Sequence, residues 1–217
     1  MCRKQEDNME EKKISEKESL ELISQMIQQT KKDSAIGSGD TFLIWGYLCI
    51  LCSLSVVALA YFAGAGRWGW LYFAIPALGF AIAGINAKRL KKKYKSPSTY
   101  SASSINTIWA CLSSVFAVYA IRCFMNWEQP QGWTGMFLLG LLMPGIGTFC
   151  TGTILKEKCV QWCGIIGTSF GCIFLHNLCC TDSTVTIKWP IIMAISLFIT
   201  LVMPGHYLNN KSKKQNS

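Results

Sequence analysis

The chain carries few residues that could do chemistry. Gly167-Thr-Ser-Phe-Gly171 has the G-x-S-x-G spacing of a serine nucleophile. That spacing exposes a reactive hydroxyl only on a sharp strand-to-helix turn, with a histidine base in hydrogen-bond reach. Here it falls in the middle of an uncharged run. His176 follows on the same run, seven residues after Ser169, and His206 lies near the end of another. Neither is placed to serve Ser169, so acyl transfer is not expected. Cys49-x-x-Cys52 has the spacing of a redox or zinc pair, but no second ligand pair lies near it. Of the 11 cysteines, Cys49, Cys52, Cys111, Cys123, Cys150, Cys163 and Cys172 fall in apolar runs. There a thiol packs as a small hydrophobe. Cys179-Cys180, at the end of a run, is the one place where a disulfide is conceivable. The residues point to a non-enzymatic protein with no cofactor and no metal set.

The elements that hold these residues are membrane spans. The chain is 51% hydrophobic and 15% charged, against roughly a quarter charged in soluble proteins. Between short charged blocks lie uncharged runs of about 20 residues, the length that crosses ~30 Å of hydrocarbon. The runs predict six spans, at 41–62, 68–87, 105–124, 133–155, 160–180 and 189–207. The expected fold is an all-α integral membrane protein. It is a six-transmembrane-helix bundle with a cytoplasmic N-terminal amphipathic helix in a 1–40 tail and a short 208–217 tail. No cleaved leader is expected, since the first apolar run begins only at Thr41.

Orientation follows from Lys88, Arg89, Lys91, Lys92, Lys93 and Lys95, a basic clamp between the second and third spans. With the N-terminus inside, 18 basic residues face the cytoplasm and 3 (Arg67, Arg122 and Lys188) face outward. Without the long tail the ratio is 11 to 3, and such an excess marks the inner face. The net charge of +9 does not indicate nucleic-acid binding. Residues 1–36 hold seven Lys/Arg and eight Asp/Glu, so no soluble segment gathers a basic footprint.

The N-terminal tail carries the clearest interaction signal. Ser15-Glu-Lys-Glu18 fits a capping box and predicts a helix over 15–32. Leu20, Leu22, Ile23, Met26 and Ile27 share one face of it. The polar face is charge-balanced, whereas a helix lying on lipid is usually Lys- and Arg-rich there. That favours protein contact, either a homo-oligomer or a cytoplasmic protein partner, with Leu20, Ile23 and Ile27 as anchors. Gly37-Ser-Gly-Asp40 is expected to end the helix and act as a hinge. The lipid bilayer is the other partner.

Small residues recur at helical spacing in three spans: Gly79, Ala83 and Ala87; Gly140, Pro144, Thr148 and Gly152; Gly164, Gly167, Thr168 and Gly171. Such stripes let helix backbones approach closely. Pro/Gly-interrupted helices also build transporter sites, so a small permease for a neutral or lipid-like solute is the alternative to scaffolding or signalling. Ion coupling is not expected, because Asp, Glu and Lys are absent from the middle of every span.

Three segments carry a resemblance. They are Glu18-Ser-Leu-Glu-Leu-Ile-Ser-Gln-Met-Ile27, Phe42-Leu-Ile-Trp-Gly46, and Met143-Pro-Gly-Ile-Gly-Thr-Phe149 with the later Met203-Pro-Gly-His206. With them the chain resembles a group of uncharacterised bacterial polytopic inner-membrane proteins. The resemblance implies a bacterial plasma membrane and carries no functional residues.

Overall fold

The computed structural model describes residues 16–63, 68–76, 78–79, 81–82, 100–125, 130–181 and 188–216. It describes their side chains other than those of 16–19, 23, 27–38, 68–70, 130–133, 181 and 215–216. All regular structure among these residues is helical. The elements are α1 (Glu16–Phe62), a 3-10 turn (Trp68–Phe73), α2 (Tyr100–Met125), α3 (Pro130–Leu155) and α4 (Lys158–Thr181). The last rod comprises α5 (Lys188–Leu197), a π turn (Phe198–Val202) and α6 (Met203–Asn216). Among the described residues, five helical stretches are long and apolar enough to cross a membrane: Gly39–Phe62, Tyr100–Met125, Thr134–Leu155, Lys158–Cys180 and Lys188–Lys214. The expected second span is described only as the 3-10 turn and helical backbone at 74–76, 78–79 and 81–82.

The expected hinge at Gly37–Asp40 is absent. α1 runs unbroken through it for 47 residues, about 70 Å at 1.5 Å per residue. Gly39 serves packing instead of a turn. A Cβ there would collide with the Asn209 side chain and sit 3.1 Å from the Gly205 carbonyl. Gly205 is equally tight, its Cβ position lying 2.9 Å from Leu43 and 3.1 Å from the Gly39 carbonyl. Two glycines facing each other thus let α1 and α6 cross at backbone contact.

The helices also begin and end outside the apolar runs. α2 starts at Tyr100, taking in part of the serine-rich stretch expected to be loop. α3 starts at Pro130, where a proline is tolerated because a first-turn N–H has no helical partner. α6 continues to Asn216, through residues expected to form a tail.

α3 and α4 form the tightest pair. The reversal between them uses two hydrogen bonds, Lys156 N–H to the Thr153 carbonyl (3.2 Å) and Glu157 N–H to the Gly152 carbonyl (2.9 Å). This is the Schellman pattern, with Lys156 in the left-handed region at φ 57°. Along the pair, small residues meet backbone. The Gly145 Cβ position lies 2.5 Å from Thr168 N, and that of Gly152 lies 2.6 Å from Gln161 N. Gly164 presses likewise on the backbone of Phe149. The small-residue stripes of these helices are thus filled partly by each other, while Gly140 faces Met193 and Gly167 faces Thr200.

The core gathers around them. Phe42, Val56, Tyr72, Phe137, Leu141 and Phe174 are buried together with Leu197 and Leu201. Edge-to-face ring pairs join the elements: Phe42 with Trp109 at 5.6 Å, Tyr72 with Phe137 at 5.4 Å, and Phe174 with Trp189 at 4.4 Å. The last rod is the most buried of the five spans and α2 the least.

The π turn has a cause in the sequence. Pro204 has no N–H to give the Thr200 carbonyl, its ordinary α-helical acceptor. The backbone widens, and Met203 N–H bonds instead to the Phe198 carbonyl. The Thr148 hydroxyl, from α3, donates to the Thr200 carbonyl at 2.9 Å in the buried core. The Thr200 hydroxyl itself turns back to the Ser196 carbonyl at 2.9 Å.

Candidate functional site

Besides Thr148 in the core, several polar side chains that bridge elements gather at the end of the bundle carrying residues 40, 157 and 209. Asp40 comes from α1 at the foot of its span, Glu157 from the α3–α4 reversal, and His206, Tyr207, Asn209 and Lys211 from α6. Asn209 Nδ2 donates to Asp40 Oδ1 at 2.7 Å. Tyr47 Oη and His206 Nε2 are 2.8 Å apart, one turn or two further into the bundle. The Tyr207 hydroxyl donates to Glu157 Oε2 at 3.1 Å. Lys211 forms an ion pair with the other oxygen of Glu157.

α6 is thereby held from two sides. Asp40 and Tyr47 hold it on α1, and Glu157 holds it on the α3–α4 reversal. Each bond is modest, since a pair open to water contributes roughly 0–1 kcal/mol. Their joint effect is positional. They seat α6 against the Gly39–Gly205 crossing, where the N-terminal part of α1 leaves the bundle. The arrangement has no nucleophile aligned with a base. It joins α6 to α1 and to the α3–α4 reversal.

Of the expected anchors on that helix, Leu20 is 67% exposed, and its neighbours on the same face, Leu22 and Met26, are 47% and 60% exposed. The side chains of Ile23 and Ile27 lie outside the described residues. So does the whole basic clamp, Lys88, Arg89, Lys91, Lys92, Lys93 and Lys95.

The other sequence candidates are separated. Ser169 faces outward on α4 and donates to the Ile165 carbonyl at 2.9 Å. His206 sits on α6 against Tyr47, while His176 pairs with Cys180 at 3.6 Å near the far end of α4. Cys49 and Cys52 are half-buried free thiols on α1, and Cys179 and Cys180 are exposed free thiols. Arg122 is exposed on α2. It borders a largely apolar groove of about 540 Å³ between α2 and α3, with Val118, Tyr119, Gly135 and Leu138.

Sequence reasoning missed Asp40, Glu157, Asn209 and Lys211. Their partners lie 169 residues apart for Asp40–Asn209 and 54 for Glu157–Lys211, and no periodicity links such positions. One signal was readable. All of them flank apolar runs, next to lysines or a polar tail. No protein-family model, no curated protein and no solved structure matches the chain.

Proposed function

We propose that this protein is a non-enzymatic multi-pass membrane scaffold or signalling component that works through its N-terminal helix. The observation that carries this reading is the continuity of α1. The helix that presents Leu20, Leu22 and Met26 to solvent is the same helix that enters the bundle at Gly39. A partner bound at residues 16–32 would therefore act directly on the first span and, through Asp40–Asn209, on α6. An exposed apolar stripe on a helix is the form that partner helices recognise.

The proposal includes six spans with both termini cytoplasmic, the second span running over residues 68–87 and the basic clamp following it. The 18-to-3 split of basic residues supports it. The resemblance of three segments to bacterial inner-membrane proteins supports a bacterial plasma membrane. Single cysteines at Ser98 and Gln131, in a cysteine-free version, should label from opposite sides; labelling from one side contradicts the topology.

The permease alternative draws its support from the π turn and Pro204, an interruption of the kind transporter helices use. Against it, the glycines at 145, 152 and 164 are occupied by helix contacts. The experiment that separates the readings is native purification in mild detergent with and without residues 1–36. Scaffolding predicts that a co-purified protein or a higher oligomer is lost with the tail. Retention of both contradicts it.

A further inference from the structure

α4 presents one face to its surroundings, and that face has a regular composition. Trp162, Ile166, Ser169, Ile173, His176 and Cys180 are all exposed, within a wider exposed band that also holds Ile165, Cys172 and Cys179. They follow one another at alternating intervals of four and three residues, which is the a/d seam of a two-helix coiled coil. At the far end of the seam, Cys180 Sγ and His176 Nδ1 are 3.6 Å apart.

That distance suits a weak sulfur hydrogen bond, and it also suits two ligands of one metal ion. Around a tetrahedral zinc ion, with Zn–S about 2.3 Å and Zn–N about 2.0–2.1 Å, an adjacent sulfur and nitrogen stand about 3.5–3.6 Å apart. Imidazole and thiolate are the ligand types this ion prefers. Among the described residues no group of three or more His, Cys, Asp or Glu side chains is close enough to hold a metal. The described residues of one chain therefore supply two ligands of the four required. A two-fold axis along the seam would set the same pair opposite itself and complete an N2S2 set.

We propose that His176 and Cys180 are half of a tetrahedral Zn²⁺ site that a second copy of this chain completes, the copies joined in parallel along α4. Each Cys180 thiol releases its proton to solvent as the ion binds, and each His176 binds as the neutral ring. Ser169, at the middle of the seam, is small enough for close approach in a bilayer, where packing and not the hydrophobic effect joins helices. The site stands independently of the N-terminal helix.

The test uses the full chain in mild detergent under a phosphine reductant, with Zn²⁺ added to metal-free protein. The expected result is a doubling of native mass at one ion per two chains, reversed by chelator. Co²⁺ in place of Zn²⁺ should give thiolate-to-metal absorption with the visible bands of a tetrahedral ion. His176→Ala and Cys180→Ser should each abolish the doubling and the absorption, while Cys172→Ser should keep both. His176→Gln and Cys180→Ala replace any variant that does not elute as a helical monomer. One ion per chain without doubling, doubling that persists in both variants, or a chelator-resistant dimer linked through a Cys180 disulfide would each overturn the proposal.

Discussion

Asn209 donates its side-chain amide to the carboxylate of Asp40 at 2.7 Å, joining the last helix of the chain to the first across 169 positions of sequence. The bond sits beside the Gly39–Gly205 crossing, where the projecting part of α1 meets the bundle. Cysteines at Asp40 and Asn209, in a cysteine-free background, should form a disulfide on mild oxidation. A cysteine at Tyr100 in place of that at Asp40 should not link to Asn209. Failure of the first pair to link would show that α6 does not pack on α1 at this level.

The Thr148–Thr200 bond should be worth more than its exposed counterparts, because it supplies a donor that Pro204 withholds. Thr148→Val keeps the shape and removes the hydroxyl. It should cost about 1–2 kcal/mol, the range for a lost buried hydrogen bond in or out of a bilayer. Thr148→Ser should cost less. In a Pro204→Ala background the loss on Thr148→Val should shrink, since alanine restores an N–H for the Thr200 carbonyl. Thermal unfolding of the four proteins in one detergent gives the coupling directly. Additive losses would show that the proline and the threonine are unrelated.

Lys156 occupies the left-handed cap position with φ 57°, where a side chain costs about 1–2 kcal/mol relative to glycine. Lys156→Gly should therefore stabilise the protein by about 1 kcal/mol, a rise of about 2–4 °C in Tm for a chain of this size. Lys156→Ala keeps the strain and should leave Tm where it is. Equal effects of the two substitutions would mean that the lysine charge, not its backbone, matters.

Two glycines of α3 should respond differently to one methyl group. At Gly140 the added carbon meets only the tip of Met193, at 2.7 Å, and a methionine end swings aside easily. At Gly145 it meets the backbone nitrogen of Thr168 at 2.5 Å, which can yield only by parting α3 from α4. Gly145→Ala should cost about 1–3 kcal/mol as overpacking does, and Gly140→Ala much less. Unfolding midpoints that fall together would remove the close α3–α4 contact from the account.

These cases mark what the sequence could and could not disclose. The apolar runs revealed most of the helices, because hydrocarbon thickness dictates length and every backbone polar group must be met within the segment. Helix ends were less legible. Tyr100–Ser104 and Asn209–Asn216 are largely polar yet helical, and no run of apolar residues marks such a helix end. Gly37 and Gly39 read as a break because glycine more often ends helices than joins them. Only the neighbour across the contact, Gly205, shows the other use. The junction bonds of Asp40 and Glu157 depend on which spans become neighbours, which no local pattern encodes. The Cys180–His176 pair was within reach of a spacing argument. Its meaning depended on both side chains facing away from the core.

The measurement that bears most directly on the central claim is the native mass and partner content of the full chain carrying Leu20→Glu and Ile23→Glu. It should be made in mild detergent with a chelator present, so that metal-linked pairing at α4 does not contribute. The account predicts that the doubly charged helix loses a co-purifying protein or drops to a smaller oligomer, while the membrane bundle keeps its Tm. Unchanged co-purification and unchanged oligomeric state would contradict a role for this helix as the contact surface.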